Sequence, residues 1–198
     1  MNERSRLALA LPGLAFLALS ACSPADPGEP PLAGARIGGP FTLTDQNGAR
    51  LDSTALQGKY RIVYFGYTFC PDVCPVDLQQ IGLALKRWEE SEPERARRVQ
   101  PIFITTDPER DTPAVLKEFV SSFHPRLIGL TGTPQQIAAV SRTFGVYGSK
   151  QETQGASGYL VNHSRIAFLF GPGGEPIVIL PHEQGADAIL TELKKWVK

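Results

Sequence analysis

The sequence lacks an excess of charge of either sign. Its 198 residues carry 20 basic and 20 acidic side chains, so the formal net charge is zero. A protein that binds nucleic acid or an anionic membrane by charge needs a basic excess or patch, and this composition indicates neither. Internal repeats and low-complexity segments are also missing, and we expect one globular domain with additional segments at its start.

The sequence also has no apolar run that is comfortable as a membrane span. Residues 7–19 are apolar but too few, and a proline and a glycine interrupt them. Arg4 and Arg6 precede this run, and Leu19-Ser-Ala-Cys22 ends it, which resembles a bacterial lipoprotein signal. An ordinary cleaved signal and an uncleaved anchor are the alternatives.

We therefore predict a signal peptide over residues 1–21, with Cys22 as the lipidated mature N-terminus. Residues 22–35 are rich in proline and predict a flexible tether. The domain would then occupy residues 36–198. We expect it to be exported and anchored to the membrane by lipid, facing the periplasm of a bacterial envelope.

Cysteine is scarce, which makes the remaining thiols informative. Of three cysteines, Cys22 is assigned to lipidation, so only Cys70 and Cys74 remain. An exported pair could be a structural disulfide. However, a loop closed over so few residues constrains the unfolded chain little, so stabilisation is a poor reason for the pair. We expect these two thiols to carry chemistry.

The two cysteines lie between a predicted strand and a predicted helix. Residues 62–65 are apolar, β-branched and aromatic, as in a buried strand. Pro75 suits the first position of a helix, and apolar residues follow it at helical spacing: Leu78, Ile81, Leu85 and Trp88. Unpaired N–H groups at a helix start favour a thiolate, which is both a nucleophile and a metal ligand.

The rest of the chain alternates strands and helices. The predicted elements are a hairpin around 41–48, a strand at 102–105, a helix capped by Thr112 and Pro113, a strand at 127–130, a helix with a Thr133/Gln136 capping box, an exposed insertion at 148–158, strands at 166–170 and 177–180, and a helix at 183–197. This order predicts an α/β fold with a central mixed sheet flanked by helices, an N-terminal hairpin and an inserted loop before the strand that carries His163. It resembles the thioredoxin fold.

His163 decides between the chemistries open to two thiols, which are disulfide exchange and metal binding. In thioredoxin-like folds a proline begins the penultimate strand and packs over the cysteine turn. Here that place falls near His163-Ser164, so we expect an imidazole to face both sulfurs. Two thiolates and one imidazole suit Cu(I) and can adjust to Cu(II), whereas zinc is a possible competitor.

Three motifs then resemble the signatures of the SCO/SenC family. They are Phe65-Gly-Tyr-Thr-Phe-Cys-Pro-Asp-Val-Cys-Pro75, Ile104-Thr-Thr-Asp-Pro-Glu-Arg-Asp-Thr-Pro113 and Tyr159-Leu-Val-Asn-His-Ser164, in this order. The resemblance implies a copper-binding assembly factor for the dicopper CuA site of cytochrome c oxidase. It implies one copper ion held by Cys70, Cys74 and His163, with the CuA-bearing oxidase subunit and a second periplasmic copper chaperone as partners.

Two further residues are candidates to support the ligands from behind. Asp107 is one, and Asn162, where the family usually has aspartate, is the other, with one negative charge fewer. We expect His124 and His182 to be ordinary surface residues. The alternative functions are a thiol–disulfide reductase that uses Cys70 and Cys74 to keep the CuA cysteines reduced, and a redox or copper sensor.

Overall fold

The computed structural model describes residues 28–152 and 158–198, and they form an α/β fold around one seven-stranded sheet. The strands are β1 Thr42–Asp45, β2 Arg50–Asp52, β3 Tyr60–Gly66, β4 Val99–Thr105, β5 Ile128–Thr131, β6 Gly148–Glu152, β7 Tyr159–His163, β8 Ala167–Phe170 and β9 Pro176–Ile179. The helices are α1 Val73–Ser91, α2 Pro93–Ala96, α3 Pro113–Ser121, α4 Pro134–Thr143 and α5 Ala186–Trp196. Short 3₁₀ helices cover Ser53–Leu56 and His182–Gln184.

The sheet is mixed, as predicted. Its strand order is β2-β1-β5-β4-β3-β8-β9, with β3, β4 and β5 parallel and the outer pairs antiparallel. Strand β3 lies near the centre, paired with β4 on one side and β8 on the other. Because parallel strands need a crossover, helix α1 follows β3 and returns the chain to β4.

Alternation along β3 divides the apolar residues between two cores. Ile62 and Tyr64 face the layer that contains α1, α3 and α5, whereas Val63 and Phe65 face α4. All four side chains are nearly inaccessible to water. Burial on both faces explains why residues 62–65 form a continuous apolar run instead of an alternating one.

Strand β7, which carries His163, is not part of the main sheet. It pairs antiparallel with β6 in a separate two-stranded ribbon, with Gly148 opposite His163. The prediction of an exposed loop at 148–158 is therefore wrong for Gly148–Glu152, which is exposed but forms a strand. All five residues face solvent, so the segment has no apolar alternation from which a strand could be predicted.

Several boundaries differ from the predictions. Helix α1 begins at Val73, so Pro75 is its third residue and Cys74 already lies in the first turn. The 3₁₀ turn at His182–Gln184 is separate from α5, which begins at Ala186. The last part of the predicted tether is packed on the domain, because the Leu32 N–H donates to the Ile177 carbonyl at 3.0 Å and its side chain joins the α4-side core.

The predicted starts of α3 and α4 and the first hairpin are confirmed. Thr112 caps α3 with Pro113 as its first residue, and Thr133 with Gln136 forms the capping box of α4. Strands β1 and β2 form the hairpin. Within the described residues no helix is long and apolar enough to cross a bilayer. The predicted signal at 1–21 and its Cys22 lie outside the described residues.

Candidate metal centre

The two sulfurs lie where β3 ends and α1 begins. Strand β3 ends at Gly66, and after a short loop Cys74 occupies the second residue of α1. Cys74 is fully buried and Cys70 is 8% exposed, and both are free thiols. A Cβ on Gly66 would lie 2.8 Å from the Cys74 sulfur, so glycine is required there for the sulfur to pack against the end of the strand.

Asp111 holds the loop that carries Cys70. Its carboxylate accepts hydrogen bonds from the Thr68 backbone N–H at 3.0 Å and from the Thr68 hydroxyl at 2.6 Å. It also accepts one from the Thr105 hydroxyl at 2.6 Å. Burial raises the pKa of Asp111, and these donors oppose that shift. The second motif, which contains Asp111, thus fixes the first motif, which contains the cysteines.

His163 brings its ring to the sulfur pair from strand β7. Its Nε2 lies 3.2 Å from the Cys74 sulfur, and its Nδ1 lies 3.0 Å from the Ser164 carbonyl oxygen. A carbonyl only accepts, so Nδ1 must carry the ring proton and Nε2 is left with its lone pair. The ligand atoms of Cys70, Cys74 and His163 all lie within 4.8 Å of one another.

The two thiols differ in their electrostatics. A hydrogen bond from the Cys74 thiol lowers the pKa of Cys70 most, and the backbone N–H groups of Cys74 and Asp72 act in the same direction against burial. The same hydrogen bond to Cys70, together with burial, raises the pKa of Cys74. These opposite shifts favour the thiolate at Cys70 and the thiol at Cys74 when the pair shares one proton.

An aromatic group, formed by the rings of Tyr67, Phe69 and Tyr159, covers one side of the site. The Tyr67 ring is buried and meets the His163 ring edge to face at 5.7 Å between centroids. The Arg110 guanidinium stacks over Tyr159 at 3.7 Å and over Phe69 at 4.9 Å. Phe69 is 49% exposed, so this group shields the imidazole from water on one side and presents an apolar edge on the other.

The two predicted supporting residues are placed differently. Asp107 is buried and accepts hydrogen bonds from Arg110 at 2.5 Å and from the Tyr159 hydroxyl at 2.9 Å, so it holds the start of the strand that carries His163. Asn162 is exposed and donates to Gln151 on the neighbouring strand at 2.9 Å. The structure does not bring the Asn162 side chain to the sulfurs, because adjacent residues of a strand point to opposite faces.

The prediction that His124 and His182 are surface residues is wrong. Both are buried, at 5% and 4% exposure. The Nδ1 atom of His124 accepts from the Arg126 backbone N–H at 3.2 Å, and its Nε2 lies 3.4 Å from Glu89. His182 packs edge to face on the Tyr64 ring. Local hydrogen-bond partners thus compensate for the burial of the His124 ring. The His182 Nδ1 lies 3.0 Å from the Leu180 carbonyl oxygen, whereas its Nε2, 3.5 Å from Asp77, has no hydrogen-bond partner among the described residues.

A buried ionic group lies behind Cys74, and it was not predicted from the sequence. Asp77, one helical turn after Cys74, is fully buried and accepts from the Tyr64 hydroxyl at 2.8 Å. Arg165 binds both oxygens of Asp77, at 2.5 and 2.7 Å. The sequence did contain a signal for this ionic group. Asp77 lies on the apolar face of α1 between Cys74 and Ile81, where an unpaired carboxylate would be costly.

The fold and the site together define a class: a thioredoxin-like domain with two cysteines at the first strand–helix turn and a histidine from a late strand. The SCO1/SenC family model matches residues 29–198. The chain therefore belongs to the SCO1/SenC family.

Relatives and solved structures agree with this assignment. The chain is 46% identical over 145 residues to SCO1 homolog 1 of Arabidopsis thaliana mitochondria, covering 73% of this chain and 42% of that protein. It is 38% identical to mitochondrial SCO2 of Saccharomyces cerevisiae, covering 82% and 53%. It thus spans about half the length of the curated relatives it matches.

Among solved structures, ScoI of Bradyrhizobium japonicum with copper bound is 39% identical, with a TM-score of 0.73 over 81% of this chain and 99% of that one. Yeast Sco1 with copper bound is 37% identical, with a TM-score of 0.72 over 81% and 88%.

Proposed function

We propose that this protein binds one copper ion through Cys70, Cys74 and His163. The observation that carries the proposal is the grouping of two sulfurs and one imidazole nitrogen within 4.8 Å on three separate segments of the fold. Among first-row transition-metal ions, a site of two soft thiolates and one imidazole prefers Cu(I), and it tolerates Cu(II). The solved relatives with copper bound support the same choice of metal.

The unequal pKa values of the two thiols fit copper as cargo. The lowered pKa of Cys70 favours its thiolate, and the His163 Nε2 lies 3.2 Å from the Cys74 sulfur. The raised pKa of Cys74 means that this thiol has to lose a proton when the ion enters, because metal ligands bind in their deprotonated forms. Cys70, at 8% exposure, is the more accessible of the two sulfurs, so we expect an incoming ligand to meet it first.

We infer that the protein delivers this copper to the CuA-bearing subunit of cytochrome c oxidase, as a metallochaperone and not as an enzyme. Membership of the SCO1/SenC family supports this role. In this proposal a second periplasmic chaperone supplies the ion, and lipid on Cys22 keeps the domain at the membrane surface on the periplasmic side. Transfer would proceed by ligand exchange between the two sites.

A second function rests on the unequal thiols. A reactive thiolate at Cys70 beside a protonated Cys74 is the arrangement that attacks a disulfide and then resolves the mixed disulfide. The same pair could therefore reduce the cysteines of the recipient CuA site. In that case the protein is a thiol–disulfide reductase, and His163 is not essential.

Copper titration of the purified, reduced protein tests the ligand set. We expect about one Cu(I) per chain, and we expect Cys70→Ser, Cys74→Ser and His163→Ala each to abolish tight binding. His124→Ala is the matched control, because it also removes a buried imidazole that packs near Gly82 of α1 but lies outside the group of three ligand atoms. Full affinity in His163→Ala would refute the assignment.

Measuring CuA content in the oxidase of the corresponding strains separates the two functions. If copper delivery dominates, His163→Ala should lower the CuA content as far as either cysteine variant does. If reduction dominates, His163→Ala should support normal CuA assembly while Cys70→Ser and Cys74→Ser fail.

A further inference from the structure

The position of His163 depends on side chains, because its strand has no backbone pairing with the main sheet. Among the described residues, β7 pairs only with β6, and all five residues of β6 are exposed. A two-stranded ribbon alone is marginally stable in water. The contacts that hold this ribbon on the domain therefore determine where the imidazole lies.

One set of contacts holds the start of β7. The Tyr159 hydroxyl donates to Asp107, and Arg110 donates to the Tyr159 carbonyl at 3.1 Å. Val161 is buried in the α1-side core. These contacts lie at and before Val161. Beyond His163, the Ser164 N–H donates to the Tyr147 carbonyl at 3.1 Å, but Tyr147 belongs to the segment that leads into β6, so an attachment of this end of the strand to α1 needs a further contact.

Arg165 provides that attachment, two residues after His163. Its Nη2 and Nε bind the two carboxylate oxygens of Asp77 at 2.5 and 2.7 Å, which is the bidentate geometry that fixes a guanidinium in its plane. Its Nη1 also donates to Glu183 at 2.9 Å. The Arg165 side chain is 33% exposed, whereas that of Asp77 is fully buried.

Asp77 is a rigid point of attachment because of its place on α1. It lies one turn after Cys74, and the Tyr64 hydroxyl of strand β3 donates to it at 2.8 Å. One ion pair thus connects the turn of helix that carries Cys74 with the segment that follows His163. The His163 Nε2 lies 3.2 Å from the sulfur of Cys74.

We propose that Asp77 and Arg165 form a positioning pair that holds the His163 ring over the sulfurs before copper arrives. This inference rests on the proposed copper function, since it explains how the third ligand is ordered in advance. The expected effect of breaking the pair is a copper affinity about 10- to 100-fold weaker, which is typical when a group that orients a ligand is lost.

Arg165→Gln is the test variant, and Arg126→Gln is its matched control. Arg126 also pairs with a carboxylate, Glu89, at 2.5 Å and is similarly exposed at 28%. It bonds to the carbonyl of Val99 at the start of β4, whereas the site lies at the ends of β3 and β4. Urea unfolding of both variants measures the loss of stability that any broken ion pair causes, and Arg165→Lys should restore part of the copper affinity.

Two measurements separate positioning from stability. In metal-free protein, the NMR cross-peak between the His163 ring and the Cys74 β-protons should disappear in Arg165→Gln and persist in Arg126→Gln. In copper titrations, Arg165→Gln should weaken binding in the wild-type background and have no added effect in His163→Ala, because the two changes remove the same ligand.

Different outcomes refute the inference and the proposed function. An unchanged cross-peak and unchanged copper affinity in Arg165→Gln overturn the positioning role. An equal loss of affinity in the His163→Ala background also overturns it, because Arg165 would then act through the sulfurs or through stability. If His163→Ala itself binds copper normally, the ligand assignment fails, and the metal-free cross-peak still tests whether Arg165 orders the ring.

Discussion

At the scale of single residues, the central feature is that the pKa values of two chemically identical thiols are shifted in opposite directions. Cys70 receives hydrogen bonds from the Cys74 thiol and from backbone N–H groups at the start of α1, which favour its negative charge. Cys74 is enclosed behind it and acts as the donor. The spacing of three intervening residues allows one sulfur to lie in the loop and the other inside the helix.

This asymmetry predicts the pH dependence of alkylation. In the metal-free protein, Cys70 should react with iodoacetamide with a midpoint far below 9.0, the value of an unperturbed thiol, because its lowered pKa keeps it ionised. Cys74→Ala removes the main donor, so the midpoint should rise by about one unit or more. Cys74→Ser retains an O–H donor and should keep the midpoint low.

Mass spectrometry of the alkylated protein identifies the modified residue, and the rates are measured by quenching at intervals. Cys70 should be labelled first, since Cys74 is fully buried. A midpoint that is identical in wild type and Cys74→Ala would show that the Cys74 thiol does not stabilise the thiolate.

At the scale of elements, Asp111 connects the parts of the fold that meet at the site. It belongs to the segment between β4 and α3, yet its carboxylate binds Thr68 of the cysteine loop and Thr105 at the end of β4. One side chain thus satisfies three donors on two elements.

Asp111→Asn should therefore lower the free energy of unfolding by about 1–3 kcal/mol. The amide N–H groups of asparagine would face the donors on Thr68 and Thr105, so at least one of these buried donors would lose its acceptor. Asp45→Asn is the control, since Asp45 also accepts two backbone N–H bonds but in an exposed turn, and it should cost no more than about 0.5 kcal/mol. Urea unfolding gives the free energies, and hydrogen exchange of the Thr68 amide reports the loop. Equal costs in the two variants would contradict the linking role.

Local sequence signals predicted most elements and the three residues of the candidate site. The apolar run before Cys70, the caps at Thr112 and Thr133, and the turn after residue 170 each act over a few residues, so they can be read without knowing the fold. His163 was found because a histidine stands where related folds place a proline. The strand and the caps depend on local physical chemistry, whereas His163 was found through the resemblance to related folds.

The features that the sequence did not predict depend on long-range contacts. The strand Gly148–Glu152 has only polar and small residues, and its pairing with β7 determines its conformation. The Asp77–Arg165 pair joins residues 88 positions apart. His124 and His182 look like surface residues until their partners Glu89 and Tyr64 are known.

At the scale of the whole molecule, the site joins segments that are distant in the chain. Cys70 and Cys74 are close in sequence and could share a metal ion in the unfolded chain as well. His163 is 89 residues from Cys74 and reaches the sulfurs only when the sheet, α1 and the ribbon are all in place. The imidazole is therefore the ligand that distinguishes folded from unfolded protein.

This difference predicts how copper affects the stability of the fold. A ligand that binds only the folded state adds about 2.7 kcal/mol to the free energy of unfolding at 100 times its dissociation constant. Here the increment should be smaller, because the two cysteines also bind Cu(I) when the chain is unfolded.

Urea unfolding in a Cu(I) buffer should show a clear increment for the wild type that excess chelator removes. In His163→Ala most of the increment should be lost even if the sulfurs still hold copper, whereas Arg126→Gln should keep it. An equal increment in wild type and His163→Ala would mean that the imidazole contributes nothing to holding the metal in the folded protein.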